Sequence, residues 1–120
     1  MANELTISVS MRYVHDDVKV DRNTGRVKID VAGSKPVDHV QEIGTSEEAI
    51  TLNEAGKGGY CLLENLNATN FIEIRPNTGV ADLIKLLPGD IALFRVTGDA
   101  VPYAIADTAA CDMRVTLFPL

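Results

Sequence analysis

Residues 5–13 alternate without a break: Leu5, Ile7, Val9, Met11 and Tyr13 are apolar, and Thr6, Ser8, Ser10 and Arg12 between them are polar. An apolar residue at every second position is the period of a strand with one covered face; a helix repeats its faces every 3.6 residues and cannot use it. This stretch therefore demands a sheet. The same alternation returns in Val18 and Val20 against Lys19 and Asp21, in Val27, Ile29 and Val31 against Lys28 and Asp30, and in Met113, Val115 and Leu117 against Asp112, Arg114 and Thr116.

Turn chemistry separates the remaining strand-like runs. Arg22-Asn23-Thr24-Gly25 predicts a tight reversal joining Val18–Asp21 to Val27–Val31 as a hairpin, because Asn and Gly tolerate positive φ. The polar His15-Asp16-Asp17 predicts the turn before it. Val37–Ile43 reads as a weaker strand. Thr45 and Glu48 have capping-box spacing, which admits one helical turn before Ile50-Thr51-Leu52 resumes as strand. Asn53–Gly59 is a glycine-rich turn. Tyr60-Cys61-Leu62-Leu63 is apolar on both faces, as a central, covered strand would be. Asn65–Asn70 is a polar connection to a partner strand, Phe71–Ile74, with Leu62 and Ile72 expected in the core of that hairpin. Pro76–Gly79 turns the chain again, and Leu83–Leu87 stops at Pro88-Gly89, a type II turn signal. Ile91–Val96, Pro102–Ala106 and the final strand follow, with Gly98-Asp99 between the first two.

Eight or nine short strands about ten residues apart predict an all-β fold: an antiparallel β-sandwich, a jelly-roll or related Greek key. The 120 residues predict a single domain, 1–120, with residues 1–8 available as an N-terminal arm. Aromatics are only 5% and Trp is absent, so the core must be aliphatic.

The formal charge of −6 disfavours direct contact with nucleic acid and with anionic membranes. No apolar run reaches the length of a membrane span. Met1–Thr6 lacks a basic region and an apolar core, so no secretory signal is expected and the chain is expected to stay in the cytosol where it is made. Cys61 and Cys111 each sit in an apolar strand pattern, which favours two buried thiols and leaves a disulfide open.

No motif of catalytic type stands out, and an enzyme is not expected. His15 beside Asp16, and His39 beside Asp38, are sequence neighbours that a strand points to opposite faces, a poor geometry for a dyad. A His15–His39 metal site would need tertiary proximity. Asp21–Gly25 resembles the opening of a calcium loop but lacks the downstream glutamate. Gly56-Lys57-Gly58-Gly59 lacks the Ser/Thr and the following helix of a phosphate loop. Neither a cofactor nor a metal is expected. The signal that survives is interaction. The regular strand through Leu5, Ile7 and Val9 offers a template to a neighbour's sheet edge, and Leu117, Phe118 and Leu120 form an apolar finish, either tucked under the domain or sealed in a subunit contact. The turn carrying Asn67 and Thr69 is a further candidate contact.

Gly59–Ile74, with its Asn-Leu-x-Ala-Thr-Asn turn before an aromatic-led strand, together with Lys85–Asp90 and Ala104–Ala110, resembles small virion structural proteins of tailed bacteriophages, of the head-decoration or cement type. The resemblance covers about the second half of the chain. It implies a β-sandwich subunit, made in the bacterial host cytoplasm and carried in the virion. It further implies a homotrimer that clamps the major capsid protein or another virion protein. A tail, baseplate or fibre component is a second implication. The rival from another class is a carbohydrate- or ligand-binding β-sandwich module, which the shortage of aromatic platforms disfavours: the chain has three Tyr, and Tyr13 and Tyr60 fit strand positions.

Overall fold

Alternation becomes pairing in ten antiparallel strands, with no helix among the described residues, which are 4–31, 35–51, 59–96 and 101–119 of a computed structural model. The strands are β1 (Leu5–His15), β2 (Val18–Ile29), β3 (Val37–Ile43), β4 (Glu48–Ala49), β5 (Gly59–Asn65), β6 (Ile72–Arg75), β7 (Ile84–Leu86), β8 (Ile91–Val96), β9 (Tyr103–Ala106) and β10 (Cys111–Phe118). The chain divides into two compact units, Met1–Ala32 and Gly33–Leu120.

The first unit is a two-stranded ribbon of β1 and β2. His15 faces Val18, so Asp16 and Asp17 alone make the reversal, and Asp16 takes φ 51°, a left-handed conformation that Asp tolerates better than most residues. The second reversal expected at Arg22–Gly25 does not occur, because β2 runs straight through it. Ser8 faces Arg26 and Ser10 faces Asn23, so Val9 stands opposite the two residues Thr24 and Gly25. That is a β-bulge, with Gly25 at φ 66°. The polar side chains that suggested a turn satisfy the bulge instead: the Val9 N–H donates to Thr24 Oγ1 (3.0 Å), and the Gly25 N–H donates to Asn23 Oδ1 (2.8 Å).

In the second unit β3 pairs with β10, β4 with β9, β5 with β8 and β6 with β7. Two more pairings, β10 with β5 and β9 with β6, complete two four-stranded sheets of order β3-β10-β5-β8 and β4-β9-β6-β7. Their inner faces meet in one aliphatic core. Ile43, Leu63, Met113, Val115 and Leu117 come from the first sheet, and Ile72, Ile74, Leu86, Ala104 and Ala106 from the second. Glu48–Ala49, where a helical turn was conceivable, is a short strand on β9.

The expected hairpin of Tyr60–Leu63 with Phe71–Ile74 does not form. β5 lies between β10 and β8, and β6 lies between β9 and β7 in the other sheet. Asn65–Asn70 is therefore the corner by which the chain changes sheet. Ile72 is fully buried, as expected, but Leu62 points outward and is half-buried, while Cys61 and Leu63 point into the core. Tyr60–Leu63 is apolar at every position, so its own sequence does not mark which parity faces in.

Asn65 is the buried polar side chain among the described residues, 1% exposed. Its Nδ2 donates to the carbonyls of Asn70 and Leu86, both at 2.9 Å, and its Oδ1 accepts the Asn67 N–H at 2.9 Å. Its backbone N–H donates to Asp90 O (3.0 Å), and its carbonyl accepts from the Gly89 N–H (3.1 Å). Gly89, at φ 83°, occupies the third position of the Pro88-Gly89 turn, which the Asp90 N–H closes onto Leu87 O at 2.8 Å, as the sequence predicts.

The two thiols are free and buried. Cys61 faces Leu117 across β5 and β10, six residues along β10 from Cys111. At about 3.3 Å per residue that is roughly 20 Å, far beyond the reach of a disulfide.

Two outcomes follow from this packing. Leu63→Ala should cost about 2–5 kcal/mol in urea unfolding, and Leu62→Ala clearly less; a larger loss at Leu62 would mean that the parity of β5 is reversed. Asn65→Ala leaves the buried Leu86 carbonyl and the partly buried Asn70 carbonyl and Asn67 N–H without their partner. It should cost about 2–4 kcal/mol, and a change below about 0.5 kcal/mol would remove the corner from the stability of the fold.

Candidate functional site

Four places in the sandwich unit bring chemistry together. The first is an ionic buckle. Glu47, in the connection from β3 to β4, receives Arg75 Nη1 at 2.5 Å and the Gly79 N–H at 3.1 Å, and also the Thr78 hydroxyl. Arg75 Nε donates to Asp82 Oδ1 at 2.5 Å. The side chains of Glu47, Arg75 and Asp82 are 19%, 24% and 31% exposed, so this cluster is sheltered compared with an ordinary surface pair. Hydrogen bonds from Thr78, Arg75 and Gly79 hold the Glu47 carboxyl down to about 2. Asp82 is lowered, first by the hydrogen bond from Arg75, whereas Glu73 is raised, first by burial and then by its hydrogen bond with Asp82. The buckle ties the β3–β4 connection to the turn after β6. Every acceptor in it already has its donor, so it reads as a structural clasp.

The second place is a cavity of about 310 Å³ between the β7 edge of one sheet and the β8 edge of the other. Ile74, Leu83, Ile84, Phe94 and Val96 form most of its wall, and Arg75 and Arg95 are its charged residues. Its volume is at the small end for ligand sites. Among the described residues that line it there is no carboxylate, imidazole, thiol or hydroxyl. The lining suits the binding of an apolar group, and proton transfer has no residue there to carry it.

The third place is the outer face of the β3-β10-β5-β8 sheet. Arg114 on β10 makes two parallel bonds to Asp38 on β3, Nε–Oδ1 at 2.9 Å and Nη2–Oδ2 at 2.8 Å, and Thr116 adds a third bond to the same carboxylate at 3.2 Å. Beside this pair runs an apolar stripe. Tyr60 and Leu62 of β5 face Phe118 and Thr116 on one side and Arg95 and Leu93 on the other, and the Arg95 guanidinium lies 5.5 Å from the Tyr60 ring. Leu93 and Ile91 on the edge strand are 41% and 66% exposed.

The fourth is the corner itself. Asn67 Oδ1 accepts from the N–H groups of Thr69 (2.8 Å) and Asn70 (2.7 Å) and from the Thr69 hydroxyl (3.2 Å). Asn67 is half-buried and turned into its own loop, whereas Thr69 is exposed. The other residues singled out for contact fall in different settings. Leu117 is a fully buried core residue, and Phe118 is half-buried on the outer face. Leu120 lies outside the described residues. Leu5 is buried, and Ile7 and Val9 are half-buried in β1.

His15 belongs to the ribbon unit and His39 to β3, where its Nε2 is 3.1 Å from Thr51 O. Among the described residues no group of three His, Cys, Asp or Glu side chains is placed to hold a metal. Asp21–Gly25 is the bulged stretch of β2, and Gly56–Gly58 lies outside the described residues. Burial pushes the Cys61 thiol up to about 12, and Cys111 is raised by burial and then by Asp107 and Asp112. Both are inert core thiols in that state.

Sequence reading missed the buckle and the cavity. Ile74-Arg75-Pro76 places a charge beside a strand end, but its carboxylate partners are 28 and 7 residues away, and only the fold brings them together. No protein-family model, no curated protein and no solved structure matches the chain.

The Glu47 carboxyl binds a proton more weakly in the folded chain than its ordinary value of 4.5. Its contribution is complete above about pH 4.5 and is lost as the pH falls toward 2. Glu47→Gln should therefore lower the melting temperature at about pH 7 and flatten its fall between about pH 4.5 and 2.5. Parallel acid limbs for the two proteins, by calorimetry, would show that the buckle is not part of the acid response.

Proposed function

We propose that the chain is a structural, non-catalytic protein of a tailed-bacteriophage virion, a capsid decoration or cement subunit whose sandwich is a jelly roll. The observation that carries this reading is the strand order. The pairings of β3 with β10, β4 with β9, β5 with β8 and β6 with β7, in the sheets β3-β10-β5-β8 and β4-β9-β6-β7, support this reading, since one long hairpin folded across two sheets would give them, as in jelly rolls of viral capsid domains, lectins and cupins. Fold alone does not choose among such hosts. The choice of a virion rests on the resemblance carried by residues 59–110. The Asn-Leu-x-Ala-Thr-Asn phrase of that resemblance is the corner that links the sheets, where its side chains hold the turn together.

In this role the protein acts by adding buried area across the seams of a pressurised shell. A contact of about 800 Å² per partner is a standard specific interface, and repetition at symmetry-related positions multiplies modest contacts when they engage together. The partners proposed are further copies of the chain, as a homotrimer, and the major capsid protein or another virion protein, after synthesis in the bacterial cytoplasm. A second reading, a ligand-binding β-sandwich module, is favoured by the apolar cavity between β7 and β8.

Gold-labelled antibody raised against the recombinant protein, applied to particles purified from the phage that encodes it, should decorate the head. Label confined to the tail would select a tail, baseplate or fibre component. Particles that lack the protein altogether, together with saturable binding of a small apolar ligand or glycan, would replace the virion reading with the binding module.

A further inference from the structure

The ribbon of β1 and β2 carries an apolar face that two strands cannot cover by themselves. Its register sets Ile7 against Val27, Met11 against Arg22, Tyr13 against Val20 and His15 against Val18, so that Arg22 and His15 interrupt an otherwise apolar side. Met11, Tyr13, Val18, Val20 and Val27 are 68%, 54%, 55%, 50% and 42% exposed. The alternate positions, Thr6, Ser8, Ser10 and Arg12 on β1 and Lys19 and Lys28 on β2, make the other face mostly polar, with Val14 (52% exposed) its apolar exception. An isolated two-stranded hairpin is marginal in water, yet this one runs for eleven and twelve residues and keeps most of its apolar side chains on one face through a bulge. The bulge matters for that pattern. By taking up one extra residue it keeps Val18 and Val20 on the same side of the ribbon as Val27, whereas an unbulged β2 would have put them on opposite sides.

We propose that this apolar face packs on the same face of the ribbon of a second copy of the chain, so that the ribbons hold the oligomer together. Charge identifies the occupant. Residues 1–32 hold five Lys and Arg and five Asp and Glu, so the whole net charge of −6 belongs to residues 33–120. Two sandwich units repel each other, and the neutral ribbon is where copies meet at least electrostatic cost. Area agrees. The five side chains leave on the order of 450 Å² of surface open, which already falls within the range of about 300–600 Å² for the largest patch on a typical monomer. A standard interface buries roughly 800 Å² per partner, so the contact takes in the half-buried Ile7 and Val9 and the polar rim as well. A ribbon of balanced charge adds little like-charge repulsion when copies meet on it. The contact involves the face of the ribbon, while the free strand edges stay outside it. It rests on the ribbon alone and holds whether or not the assembly belongs to a virion.

The test is the mass of the full chain in solution, by light scattering coupled to size exclusion across a dilution series. The wild-type protein should run as a multiple of its 12.9 kDa mass. Tyr13→Lys with Val20→Lys, which places two cations on the apolar face, should raise the dissociation constant by about a hundredfold or more and give a monomer. Ser8→Lys with Ser10→Lys adds the same charge to the polar face and should leave the mass unchanged. Protection of Cys61 and Cys111 from a thiol reagent reports in each variant that the sandwich core is intact. A wild-type monomer at every concentration overturns the proposal, and so does an oligomer that survives the Tyr13/Val20 variant or is lost equally in the Ser8/Ser10 variant. An oligomer held by the ribbon in a protein absent from virions would keep this contact and remove the proposed function.

Discussion

Asn65 stands where three parts of the sandwich must agree. Its amide joins the end of β5, the corner through Asn70 and the end of β7 at Leu86, and its backbone joins the Pro88-Gly89 turn that leads into β8. A buried amide is tolerated only when its donors and acceptor are met, and here both N–H groups and the oxygen have partners at 2.9 Å. Such a side chain specifies geometry more sharply than an aliphatic one of similar size, because a displaced neighbour leaves an unpaired dipole in a low-dielectric core. The sheet change after β5 depends on this contact, and with it the separation of β5 and β6 into different sheets.

Around that point the sandwich unit divides its work by chemistry. The interior is aliphatic and dry, with two thiols that behave as small apolar side chains. The ionic groups are kept to clasps at the periphery: Glu47, Arg75 and Asp82 at one end, and Asp38 with Arg114 on the outer face. Such clasps restrain loops more than they add stability, since partly exposed ion pairs are worth little each. The cavity beside β7 and β8 lies where two edge strands leave the sandwich open. Edge positions of this kind are where a β-protein either guards itself or meets a partner. Here the neighbouring edge residues, Leu83 and Ile91, are apolar and exposed.

The ribbon unit follows a different logic. Its strands are long, its charge is balanced and its apolar side chains remain accessible, a pattern at odds with a hairpin meant to stand alone in water. The sandwich unit carries all of the net negative charge and has a buried aliphatic core, although Leu83, Ile91 and other apolar side chains stay exposed on its surface. The contrast between the two units is therefore one of charge: one is acidic, and the other is neutral with an accessible, largely apolar face.

Much of this architecture is local and was legible in the sequence. The all-β class, the strands at Leu5–Tyr13, Val37–Ile43 and Met113–Leu117 and the turn at Pro88-Gly89 follow from period-two patterning and from residues that accept particular φ values, properties of a few neighbouring residues. What only the tertiary structure decided is partnership. Arg22–Gly25 has the composition of a turn, and it became a bulge because Val9 on the facing strand supplied the partner that a turn would have lacked. Leu62 and Leu63 are identical in type, and their opposite fates were set by which sheet face met the core. The buckle, the cavity and the distance between Cys61 and Cys111 likewise depend on pairings across tens of residues, where the free energy of closing long loops and burying shared surface, rather than local preference, makes the choice.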